Sequence, residues 1–365
     1  MPGARAVLSP EAARQLARLA ATLALCTAAG ALAQALHSPL PWMIGPLLAT
    51  ALATLLGAPT QGAQVLRNAG LWVLGTVLGL YFTPTVVAVL WPLAPAIALG
   101  LLWALALGYG GYRWLLYSHR GRGLLPATAY FAGAIGGASE MALLADRHKA
   151  QVDRVAAAHA LRVVIVVVAI PFALQAGGVH GADVATRVSQ AVNPAGLARL
   201  LLATSLGVGL LWWWRLPNPW VLGALVVSAL VSAQGIAWSG VPRPLSNAAQ
   251  LVIGLSLGVR FSPAFVRTAP RWLGAVALGT VGMIALSAGF AALLAWMIGL
   301  HPATLLLATS PGGIAELAIT ASVLGLGVPV VTAFHVARYV TVLLLTEPVW
   351  RWEKRRLARQ AQVAD

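Results

Sequence analysis

Apolar residues run along this chain in long blocks, and polar residues collect in the short gaps between them. The blocks fall at about 16–36, 40–57, 66–82, 92–116, 127–144 and 155–174, then at 196–214, 219–235, 246–261, 272–299, 303–324 and 328–349. Most are too long for buried strands and lack strict alternation, so they read as helices at bilayer depth. The pattern predicts an all-α polytopic membrane protein in which every buried backbone group must be satisfied inside helices.

The second set of blocks repeats the first. "PWMIGPLL" (41–48) matches "PWVLGALV" (219–226), and "NAGLWVLGTVLGLYFTP" (68–84) matches "NAAQLVIGLSLGVRFSP" (247–263). These pair Asn68 with Asn247, Gly75 with Gly254, Gly79 with Gly258 and Pro84 with Pro263. "PAT" recurs at 126–128 and 302–304, "GGASE" answers "GGIAE", and "AHALRVV" (158–164) answers "FHVARYV" (334–340). Such self-similarity predicts two tandem homologous repeats, 1–178 and 179–365, the second carrying a basic tail.

The fifth block of each copy is broken. "AIGGASEM" (134–141) and "SPGGIAEL" (310–317) each put two glycines and a glutamate into apolar sequence. If such a block dips into the bilayer and returns, each copy has about five true spans, and the second copy is inverted relative to the first. That scheme puts every loop cation on one side except Arg187, Arg199 and Arg243, with Arg162 and Arg338 inside helices, as the positive-inside rule asks. The expected location is a bacterial inner membrane with both termini cytoplasmic. The first block, with Arg14 ahead of it and Arg18 at its start, has signal-peptide features. The echo of "LARL" (16–19) at 197–200 favours a retained helix.

Composition sharpens this picture. The 365 residues are 59% hydrophobic and only 9% charged, where soluble domains carry about 25%. The net charge of +15 comes from arginines beside spans and from the tail "RWEKRRLARQ" (351–360), which suits anionic lipid headgroups better than nucleic acid. The single cysteine, Cys26, leaves no partner for an intrachain disulfide.

Candidate chemistry follows from charge at depth. Glu140 and Glu316 are acidic residues inside apolar blocks, where a charge costs about 2.5–3.5 kcal/mol on insertion scales. They are candidates for a substrate or proton pathway; the plainer alternatives are helix capping or pairing with arginine. His159 with Arg162, and His335 with Arg338, share a helical face at i, i+3 spacing and could act on one ligand or on those glutamates. A static Glu–Arg–His network is the competing reading. Gly136, Gly137, Gly312 and Gly313 are expected to open the backbone and free N–H groups that favour an anion. Inverted repeats with interrupted segments in corresponding places point to a transporter's midplane site. Asn68 and Asn247 are expected to cap helices. The Gly75/Gly79 and Gly254/Gly258 pairs are expected to be close helix contacts. Expected partners are membrane lipid and a small, anionic solute, with assembly into a homo-oligomer left open. Neither a metal nor another cofactor is expected.

The duplicated GG-x-x-E followed by H-x-x-R resembles the bacterial membrane AbrB family, in which a hydrophobic module is duplicated. The likeness runs over about 16–350. "PGGIAEL" is nearer the family form, whereas the first copy has Ala134 and Ile135 ahead of its glycines and no proline. The resemblance imports conflicting labels: transcriptional regulator and ammonia monooxygenase. An oxygenase needs clustered histidine and carboxylate ligands, and the seven histidines here are scattered. A direct DNA-binding regulator needs a soluble reading module, and no loop is long enough to be one. The sequence therefore points to a non-enzymatic secondary transporter, with indirect regulation of gene expression as the alternative.

Overall fold

The computed structural model describes residues 10–179, 181, 191–261 and 270–364, and these are all-helical. Pro263, Arg187 and Arg267 lie outside the described residues. The helices are α1 (Pro10–Ala35), α2 (Pro41–Leu55), α3 (Gln64–Gly79), α4 (Pro84–Leu90), α5 (Ala94–Ser118), α6 (Pro126–Gly133), α7 (Ala138–Arg147) and α8 (Val152–Ala176). They continue with α9 (Pro194–Trp213), α10 (Pro219–Ala233), α11 (Arg243–Gly258), α12 (Pro270–Ile298), α13 (Pro302–Thr309), α14 (Ile314–Val323) and α15 (Val328–Ala364).

Proline starts many of these helices, because its missing N–H is one that the first turn leaves unbonded anyway. Pro41 and Pro219 open α2 and α10 in this way, each after a left-handed residue, Leu40 or Asn218. The glycine-bearing blocks are broken as expected. α6 ends at Gly133 and α7 starts at Ala138; α13 ends at Thr309 and α14 starts at Ile314.

Six stretches are long and apolar enough to cross a bilayer: Glu11–Ala35, Pro84–Ser118, Val152–Ala176, Pro194–Trp213, Pro270–Ile298 and Val328–Gln360. α2 and α10 have 15 residues, and α3 and α11 have 16. At 1.5 Å per residue these four reach roughly 23 Å, short of the ~30 Å hydrocarbon core. They pack against the longer α1 and α9 and against one another.

The helices form two groups. In the first, α1–α3 interleave with α9–α11: α3 packs on α10, α11 on α2, α1 on α2 and α9 on α10. Glycine permits the closest of these contacts. A Cβ at Gly75 or Gly79 would run into α10 at Val221 or Ser228, and one at Gly254 or Gly258 would run into α2 at Met43 or Leu47. Ser228 and Ser232 then donate hydrogen bonds to the Thr76 and Leu80 carbonyls, at 2.8 and 3.0 Å. The expected close packing at these glycines is what the structure has.

In the second group, α6 and α7 pack on α8, α13 and α14 pack on α15, α12 meets α8, and α5 meets α15. Its core includes Tyr112, Phe131 and Met141 at one end, and Leu305, Leu317 and Val331 at the other. The groups meet where α3 approaches α14 and α15. That junction holds the site.

Candidate functional site

The two broken segments are braced by histidine and arginine bonds that correspond at an offset of 176 residues, except that the second arginine bond goes to a different carbonyl in each. His159 donates from Nε2 to the Phe131 carbonyl at 2.9 Å, and His335 donates from Nε2 to the Leu307 carbonyl at 2.9 Å. Arg162 donates to the Ala134 and Ala132 carbonyls at 2.8 and 2.5 Å. Arg338 donates to the Ser310 carbonyl at 2.6 Å and also to the Gly312 carbonyl. All four side chains are 7% exposed or less.

The physical logic is local. α6 and α13 end inside protein, so their last carbonyls have no helical donor, and each helix presents its negative end there. A guanidinium supplies two donors and a positive charge at that point. The arginines therefore bind backbone. The expected Arg–Glu pairing is not what is seen: among the described residues no ion pair joins Arg162 or Arg338 to Glu140 or Glu316.

Two threonines complete the brace. The Gln151 N–H donates to Thr128 Oγ1 at 2.9 Å, and the Gly327 N–H donates to Thr304 Oγ1 at 3.3 Å. These are the threonines of the two "PAT" motifs. They tie the start of each broken segment to the loop after its second half.

The glutamates occupy the opposite helix ends. Glu140 and Glu316 are the third residues of α7 and α14, whose N-caps are Gly137 and Gly313. Each carboxylate folds back over its own glycine, so a Cβ at Gly137 or Gly313 would collide with it. A negative group is favourable there, because first-turn N–H groups lack helical acceptors and the dipole is positive. Glu140 Oε1 also accepts a hydrogen bond from the Tyr339 hydroxyl at 2.8 Å.

Both helix starts open onto one cavity of about 340 Å³. Gly136 and Gly137, with Glu140, reach it at the start of α7, and Gly312 and Gly313, with Glu316, at the start of α14. His159 and Arg162 come from α8, Asn68 and Arg67 from α3, and Arg260 from the end of α11. Its apolar wall includes Leu71, Val163, Trp220 and Leu257. Arg162 is 4% exposed, and its Nε has no hydrogen-bond partner. His335, Arg338 and Asn247 are not on the wall; the first two brace α13 from behind.

The asparagines do not cap. α3 begins at Gln64 after Ala63, and α11 begins at Arg243 after Pro242, so Asn68 and Asn247 lie one turn inside. Asn68 Oδ1 accepts from Gln64 Nε2 at 2.8 Å instead. The helices start early because nothing between the preceding loop and the asparagine stops them, and Pro244 suits a first turn.

Arg67 and Arg260 are the site residues that the repeat could not reveal. Their counterparts are Ser246 and Tyr81, so self-similarity passes over them. The usable signal was an arginine just inside an apolar block. Among the described residues no group of three or more His, Cys, Asp or Glu is placed to hold a metal ion. The cavity wall carries three arginines, Arg67, Arg162 and Arg260, against two carboxylates, Glu140 and Glu316.

Comparison with known proteins agrees with the motif. Residues 42–354 match the family described as transition state regulatory protein AbrB. The chain is 27% identical over 360 residues to "Uncharacterized protein YhjN" of Bacillus subtilis (strain 168), covering 90% of this chain and 91% of that protein. It is 28% identical over 329 residues to "Putative regulator AbrB" of Escherichia coli (strain K12), covering 87% of this chain and 91% of that one.

Proposed function

The chain belongs to the AbrB family, and from that premise we propose that it is an inner-membrane secondary transporter moving a small organic anion together with protons. The observation that carries this reading is the single cavity onto which both glutamate-bearing helix starts open, with buried Arg162 on its wall and its Nε unpartnered. A buried donor without an acceptor is costly, and an anion in the cavity would satisfy it.

We read the two halves as inverted copies whose broken segments are re-entrant. The reciprocal packing of α3 on α10 and α11 on α2 supports this, as do the equivalent His and Arg bonds. The cavity sits where the two helix groups meet, and movement of one group against the other would expose it to alternate sides. Glu316 is the proposed proton carrier, and Glu140 lines the same pathway.

The name of the E. coli relative favours a second reading, in which the protein alters gene expression indirectly, through the solute it moves or a membrane partner. Flux separates the two. Proteoliposomes should take up labelled pyruvate when a pH gradient is imposed, and Glu316→Gln should abolish that net uptake while the protein still inserts. Uptake by wild type no greater than in protein-free liposomes would remove the transporter reading, and equal protein-dependent uptake in Glu316→Gln and wild type would remove Glu316 as the proton carrier.

A further inference from the structure

Glu140 and Glu316 hold corresponding positions but keep different company. Tyr339 ties Glu140 down with a hydrogen bond of 2.8 Å. The residue at the position corresponding to Tyr339 is Val163, which has no donor for Glu316. Glu316 instead lies in the field of Arg67 and Arg260, and both arginines line the cavity with it. The start of α14 thus combines N–H groups without helical acceptors, a positive helix end and two guanidinium groups, all facing a carboxylate that belongs to the chain itself.

We propose, on top of the transporter reading, that the Glu316 carboxylate is an internal stand-in for substrate. A small monocarboxylate takes its position at the α14 N-terminus, facing Arg67 and Arg260, and Glu316 leaves the position neutral, having taken one proton from water. Two ionised carboxylates cannot share one such site without strong repulsion, so anion entry and proton uptake are one event. The Glu140 position is not exchangeable in this way, because Tyr339 holds its carboxylate. The organic body of the substrate meets the apolar wall of Leu71, Val163, Trp220 and Leu257. Arg162, whose Nε is free and buried, supplies a further donor.

Other groups could titrate, and all are accounted for in the test. The cavity is faced by Arg67 from α3, Glu140 from α7, His159 and Arg162 from α8, and Arg260 from the end of α11. From α15, packed on α14, come His335 and Arg338, which hold carbonyls, and Tyr339, which holds Glu140. Of the two glutamates on the cavity, Glu316 is the one held only by its own helix start, and it lies beside two arginines.

The test is calorimetric binding of sodium pyruvate to the purified full-length protein, since pyruvate's own carboxylate stays ionised throughout. Between about pH 6 and pH 8 the wild type should lose about tenfold in affinity per pH unit, taking up about one proton per anion bound. Glu316→Gln should bind at least as tightly, with the same affinity at both pH values and no proton uptake. Glu140→Gln should keep the wild-type pH dependence. Retained pH dependence in Glu316→Gln, or loss of binding in a folded Glu316→Gln, overturns the inference and leaves the anion site standing. If neither wild type nor variant binds pyruvate, lactate or glycolate, the anion site falls and the inference falls with it. Should Glu316→Gln not fold, Glu316→Asp serves: its shorter side chain reaches the helix end poorly, so pyruvate should bind several-fold more tightly, and unchanged or weaker binding overturns the inference.

Discussion

Tyr339 on α15 donates its hydroxyl to Glu140 on α7 at 2.8 Å, across 199 positions of sequence. The bond makes one of two corresponding carboxylates a fixed part of the framework. Tyr339→Phe should lower stability by about 1–3 kcal/mol, the cost of leaving a part-buried acceptor without its donor. Thermal unfolding in detergent reads this directly. An unchanged midpoint would mean that the bond carries no net stability.

The arginines are structural donors as well as charges. Arg162→Leu leaves the Ala132 and Ala134 carbonyls without donors, at about 1–3 kcal/mol for each unsatisfied group. Arg162→Lys should recover only part of that loss, because a lysine cannot present a planar fork to two carbonyls. Size-exclusion profiles with melting curves for both variants check the order: wild type, then lysine, then leucine.

The glycine contacts predict paired defects. Gly75→Val should push α3 off α10, and Gly254→Val should push α11 off α2, each at about 1–3 kcal/mol of overpacking or more. Gly274→Ala is the control, since an added Cβ there meets nothing within 4 Å. Comparable melting points for Gly274→Ala and Gly75→Val would contradict the packing account.

At the far end of α15, Glu353 is fully buried, accepting from Tyr112 at 3.2 Å and facing Arg356 at 3.5 Å. Glu353→Ala removes both contacts and should release the basic end of α15. Limited trypsin digestion should then cut after Arg355 or Arg359 faster than in wild type. An unchanged cutting rate would mean that other contacts hold the tail.

Orientation is accessible because Cys26 is the only cysteine and is fully buried, so background labelling is low. In the inverted arrangement, Arg120→Cys and Arg215→Cys react with an impermeant maleimide from one side, and Arg243→Cys reacts from the other. Labelling of Arg120→Cys and Arg215→Cys from opposite sides would reject it.

Much of the helical scaffold was readable from the chain, because its causes are local. Prolines at 41, 126, 219 and 302 mark helix starts, and the Gly136–Gly137 and Gly312–Gly313 pairs mark the breaks. The same local reasoning failed at Asn68 and Asn247, where a cap-forming residue sat in a helix that had already begun. It also misjudged the partners of Arg162 and Arg338: a carboxylate is the obvious match for a buried guanidinium, yet the nearest need was a helix end short of donors.

Sequence alone determined the all-helical, apolar character of the chain, its internal likeness, and which residues bring charge to membrane depth. Each of these follows from residue type and spacing, through helix periodicity and the cost of a charge in lipid. Tertiary structure decided which charges meet. Arg67, Arg260, Glu140 and Glu316 come from α3, the end of α11, α7 and α14, and they share a cavity only because two groups of helices close around it. That closure depends on packing between distant segments, which no local pattern records.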